Sequence, residues 1–125
     1  MLTKCSSHLE FHLFLQQRIP VFWALEQDRL RSFSRSLTKV WFLNLDPAIP
    51  LLSRCFSSSM GRPLKYDPVC ILRSLVLMLD LGYHSVTDWV KALRSDDILA
   101  VLSVFEPHNT PGVGTFYGFF DRLWL

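Results

Sequence analysis

The stretch Asp67-Pro68-Val69-Cys70-Ile71-Leu72-Arg73-Ser74-Leu75-Val76-Leu77-Met78-Leu79-Asp80-Leu81-Gly82 carries helix signals at both ends and apolar residues between them. Asp67 offers a side-chain oxygen to the unpaired amides of a helix start, Pro68 pre-sets the first turn, and Gly82 can take the left-handed conformation that ends a helix. Together they predict a helix from about Pro68 to Leu81. Its apolar residues cover most of the circumference, so other helices must surround it. Arg73 and Asp80 interrupt the run, which is shorter than the roughly 20 residues of a bilayer span, so a core helix is expected here and not a membrane segment.

Three helices are expected downstream. Ser85 and Asp88 repeat the capping arrangement, and Val86, Trp89, Val90 and Leu93 fall at i, i+3, i+4 and i+7. Ser95 is expected to cap the next helix, with Asp96 and Asp97 in its first turn and Pro107 stopping it after Phe105. The loop from His108 to Gly114 then leads to Thr115 as cap of a last helix, whose apolar stripe is Phe116, Phe119, Phe120, Leu123 and Trp124. That stripe is still running at Leu125 with no C-cap, which reads as a larger protein interrupted.

Upstream, Ser7 and Glu10 form a capping box for a first helix that Arg18 closes, and Pro20 opens a longer second helix through Trp41. From Asn44 to Asp67 the pattern breaks up around Pro47, Pro50, the serines 57–59, Gly61 and Pro63. Ile49, Leu51, Leu52 and Phe56 leave open a helical turn docked on the neighbouring core. The expected organisation is all-α: an N-terminal helical arm (1–44), a linker (45–66) and a small helical bundle (67–125).

At 125 residues the chain has the size of one domain, and with 50% hydrophobic and 19% charged residues it should fold. The net charge of +2 hides an asymmetry. Up to Lys65 nine Lys and Arg face four acids, and beyond it four face seven. A basic first half suggests a polyanionic partner. Cys5, Cys55 and Cys70 are odd in number and far apart, which supports neither a disulfide framework nor a Cys-x-x-Cys metal site. His8, Glu10 and His12 break the place where a secretory h-region would lie, so a cytoplasmic protein is expected.

The run Gly61-Arg62-Pro63-Leu64-Lys65-Tyr66-Asp67-Pro68, followed by Arg73-Ser74-Leu75, resembles the amino-terminal region of DDE-type insertion-sequence transposases. Later landmarks keep the order: Asp88-Trp89-Val90, Leu93-Arg94-Ser95-Asp96, Thr110-Pro111-Gly112-Val113-Gly114-Thr115-Phe116-Tyr117 and Asp121-Arg122-Leu123-Trp124. The match covers about Met60 to Leu125, with Trp41-Phe42-Leu43-Asn44-Leu45-Asp46-Pro47 as a weaker extension. The resemblance implies a helix-turn-helix-like domain that binds the terminal inverted repeats, placed ahead of an RNase H-like domain in which three acids hold two divalent metals. No strand-like segment follows the match, so no catalytic residue is carried over and the chain is read as a truncated, non-enzymatic fragment.

The candidate DNA contacts are three groups. Arg31, Arg35 and Lys39 lie at i, i+4 and i+8 and can track a phosphate backbone, with an ordinary solvated face as the rival reading. Arg62 and Lys65 form a short basic arm or a plain linker. Thr115, Tyr117 and Arg122 supply the polar contacts of a last helix acting as recognition element, while its Phe-rich side belongs to the core. Cys5, His8 and His12 can share one helix face, but their spacing matches no zinc motif. No cofactor, metal, membrane or small-molecule substrate is expected, and self-association is possible. A helical interaction module, a decayed remnant and an enzyme with its remaining domain elsewhere stay open as other readings.

Overall fold

A computed structural model describes residues 7–56 and 66–124. Among them all regular structure is helical, as expected. The first helix, α1 (His8–Leu25), starts where Ser7 accepts from the Glu10 amide. A second orphan amide, that of His8, donates to Asp46 Oδ1 at 2.8 Å, so a distant carboxylate also caps this end.

The expected break at Arg18 does not occur, because α1 runs through Pro20 to Leu25. The proline ring removes one donor, the partner of the Gln16 carbonyl, and both residues lie on the exposed side of the helix. Nor is there one long second helix. The chain turns at Glu26 (φ −141°, ψ 52°) and again at Phe33 (φ −100°, ψ 8°), leaving α2 (Gln27–Ser32) and α3 (Ser34–Phe42). These turns bring Leu30 and Val40 into the core.

Within the expected linker, a 3-10 turn (Asp46–Ala48) leads into α4 (Ile49–Cys55), with Pro47 and Pro50 early in their helices, where a missing amide is harmless. Leu52 and Phe56 are buried while Leu51 is exposed, so a docked helix occupies part of this segment.

Helix α5 (Pro68–Asp80) matches its expected signals. Asp67 Oδ1 accepts from the Val69 amide at 2.9 Å. At the other end Gly82 has φ +82°, Tyr83 donates to the Met78 carbonyl and Gly82 to that of Leu79, which is a Schellman motif. Helices α3, α4 and α8 (Val113–Trp124) pack around α5. Its last two residues are the exceptions to its burial, Leu79 at 69% exposed and Asp80 beside it.

Helix α6 (Val86–Ser95) buries Trp89, Val90 and Leu93, and Trp89 Nε1 donates to Ser74 Oγ at 2.9 Å inside the core. The next cap is Asp96, one residue later than expected. It accepts from the Ile98 amide, while Ser95 Oγ bonds back to the Ala92 carbonyl. Helix α7 (Asp97–Leu102) stops three residues short of Phe105, because Val104 takes φ +64° and Phe105 and Val104 donate to the Ala100 and Val101 carbonyls. A β-branched residue there is strained, and burial of Phe105 helps to hold it. Thr115 falls inside the first turn of α8, not at its cap.

One cluster joins Phe11 and Leu15 of α1 and Val40 of α3 with Val69 and Leu77 of α5, Trp89 of α6 and Phe116 of α8. No helix among the described residues is long and apolar enough to cross a membrane.

Candidate functional site

The basic residues of the first half do not line one helix. Arg31 ends up on α2, its guanidinium carbon 5.3 Å from the Trp23 ring centroid, whereas Arg35 and Lys39 lie on α3 beyond the turn at Phe33. Lys39 is engaged with Asp80 Oδ1 at 2.6 Å, and Ser36 Oγ donates to the other oxygen of the same carboxylate. These two bonds hold the Asp80 carboxyl below its ordinary range. Arg35 is exposed.

The charge asymmetry has an internal explanation. Arg18 grips both oxygens of Glu106, Arg29 pairs with Asp96 at 2.6 Å, and Lys39 pairs with Asp80. Each bond joins a base of the first half to an acid of the second. Part of the positive surplus therefore neutralises the molecule's own acidic half and is withdrawn from any external polyanion.

The last helix brings two of the three expected contacts together. Thr115 and Arg122 line one cavity between α4, α5 and α8, and the Arg122 guanidinium carbon is 5.3 Å from the centroid of the Phe56 ring. Tyr117 is 52% exposed and projects away from the buried face of Phe116 and Phe119. Arg94 of α6 reaches the amino-terminal end of α8, opposite Arg122, its Nη2 lying 3.8 Å from where a Cβ of Gly112 would be. Sequence reasoning passed over Arg94, although it stood within the quoted Leu93-Arg94-Ser95-Asp96 landmark. Arg62 and Lys65 lie outside the described residues, as does Cys5.

A second cluster was also missed. Arg73 is 1% exposed, its guanidinium lies 3.9 Å over the Phe11 ring, and none of its three nitrogens has a hydrogen-bond partner among the described residues. Burial pushes its basicity down, and Cys70, Asp67 and Asp46 offset that only in part. A charge in the middle of a helix that is apolar around most of its circumference was the available signal.

His8 and His12 stand beside Arg73 with ring centroids 4.1 Å apart, and His12 stacks on Trp41 at 3.7 Å while its Nε2 donates to the Trp41 carbonyl. Burial, then His12 and Arg73, lower the His8 basicity against the opposing pull of Asp46. No group of three or more His, Cys, Asp or Glu among the described residues is placed to hold a metal.

Compared with protein-family models, curated proteins and solved structures, the chain gives no match. The molecule is a helical protein with an aromatic-walled cavity between α4, α5 and α8 that carries the Arg122 guanidinium.

Proposed function

We propose that this chain corresponds to the helical amino-terminal region of a DDE-type insertion-sequence transposase and contributes to binding terminal-repeat DNA, with no catalytic residue assigned to it. The observation that carries this reading is the ordered set of sequence landmarks from Gly61 to Trp124. In this reading α8 serves as recognition helix of a helix-turn-helix-like arrangement, presenting Thr115, Tyr117 and Arg122. Arg94 beside it, with Arg62 and Lys65 from the preceding segment, supplies phosphate contacts.

The test is a gel-shift titration of the full chain on terminal-repeat duplex across a salt series. Three phosphates neutralised by Arg62, Lys65 and Arg94 imply a loss of roughly 40-fold in affinity between about 50 and 200 mM salt. Binding that is equally weak on unrelated duplex at every salt concentration refutes specific recognition.

Exposed apolar side chains favour a second reading, an interaction module. Leu25, Phe42, Leu79 and Leu9 are 76%, 75%, 69% and 67% exposed. Size-exclusion chromatography with hydrophobic-dye binding checks it, and a monomer that binds no dye counts against it.

A further inference from the structure

Helix α8 contains a glycine that neither its backbone nor its packing requires. Gly118 sits mid-helix, its φ lies outside the left-handed region, and among the described residues a Cβ built on it meets nothing within 4 Å. A glycine in a helix interior costs up to about 1 kcal/mol relative to alanine, and among the described residues no close approach of another backbone compensates. What Gly118 does is leave space, because it lines the cavity between α4, α5 and α8.

That cavity has a definite chemistry. Its volume is about 210 Å³. An apolar cavity of roughly 150 Å³ is enough for benzene, so one ring with a small substituent fits inside and the rest of a larger ligand must project through the open side. Phe56 and Phe119, with ring centroids 5.3 Å apart and planes 30° from parallel, form an aromatic wall, and Ile71 adds an aliphatic one. Arg122 brings a cation against Phe56, and among the described residues no carboxylate pairs with it. Thr115 adds a hydroxyl.

We infer that this cavity binds a planar ring carrying an anionic group: the ring lies against Phe56 and Phe119, Arg122 pairs with the charge, and Gly118 keeps the space open. The inference stands apart from the transposase reading, since the site can take its ligand whether or not the chain binds duplex DNA. The same chemistry has two sources, a free aromatic acid or an unstacked nucleotide, whose base stacks on aromatic side chains and whose phosphate meets the arginine.

The test follows backbone amide shifts of the ¹⁵N-labelled full chain during titration with benzoate and, separately, thymidine 5′-monophosphate, with benzamide and thymidine as neutral controls. Saturable shifts at Gly118, Thr115 and Phe119 are expected for at least one anion, with dissociation constants in roughly the millimolar range set by so small a ligand. Benzoate alone identifies a free acid as the source, and the nucleotide identifies a strand. Arg122→Gln should weaken the anion about tenfold and leave the neutral control unchanged.

Gly118→Leu should abolish binding while the melting temperature stays level or rises, and Gly118→Ala should weaken binding and raise it. That opposition separates a ligand site from a purely structural glycine. No saturable shift with either anion overturns the inference, as does equal affinity for benzoate and benzamide, or undiminished binding by Gly118→Leu.

Discussion

Replacing Arg73 by methionine should make the protein more stable. The guanidinium is 1% exposed and without a hydrogen-bond partner among the described residues, so its transfer from water is uncompensated by directional bonds. The effective penalty for such an ion is several kcal/mol. Stacking on Phe11 at 3.9 Å returns about 2 kcal/mol, and Cys70 with the acids at positions 67 and 46 returns less. Methionine has comparable length, and its sulfur suits the ring of Phe11. The net expectation is a gain of about 2 kcal/mol, or roughly 8 °C in the melting midpoint of a domain this size. Arg73→Ala removes the same ion but leaves a void worth about 2–4 kcal/mol, and should fall below Arg73→Met by that amount. Urea unfolding at pH 7 with an unchanged slope is the assay. A loss of more than about 1 kcal/mol in Arg73→Met would show instead that the buried cation is net favourable.

Other expectations concern the same core and its margins. Ser74→Ala leaves the buried Trp89 Nε1 donor without its acceptor and should cost about 1–3 kcal/mol in urea unfolding, with no change in helix content by circular dichroism. His8 has a folded-state basicity below its ordinary value near about 6.5, so folding favours the neutral ring. The stability this gives is present above that pH and is lost as pH falls through the lower folded value. A pH series of melting curves should show the decline, and His8→Gln should remove its share of it. His108 is exposed with φ +66°, so His108→Gly should stabilise by about 0.5 kcal/mol, read from the same unfolding curves.

The fold was most legible where chemistry at a helix end is unambiguous. Asp67-Pro68 and Gly82 mark α5 on both sides, and Ser85 marks the start of α6. Pro20 was misleading, because the residue type that favours a first turn is also tolerated on an exposed helix face. The turns at Glu26 and Phe33 carry neither glycine nor proline, and only packing of Leu30 and Val40 explains them. No propensity foresees Val104 in a left-handed conformation.

At the candidate site, Thr115 and Arg122 were legible from helical spacing. Which acids would meet Arg18, Arg29 and Lys39 depends on tertiary approach across separations of 88, 67 and 41 residues, and no local pattern encodes that. Gly118 stands between Phe116 and Phe119 of the apolar stripe, and only the open space beside it among the described residues gives it a meaning.

The three ion pairs between the halves have a practical corollary. Severed between Phe56 and Tyr66, the polypeptide would yield a cationic and an anionic fragment with matching apolar faces. Mixed in dilute buffer, such pieces should find each other quickly by mutual attraction and reconstitute the whole, and added electrolyte should slow their reunion more than it loosens the product.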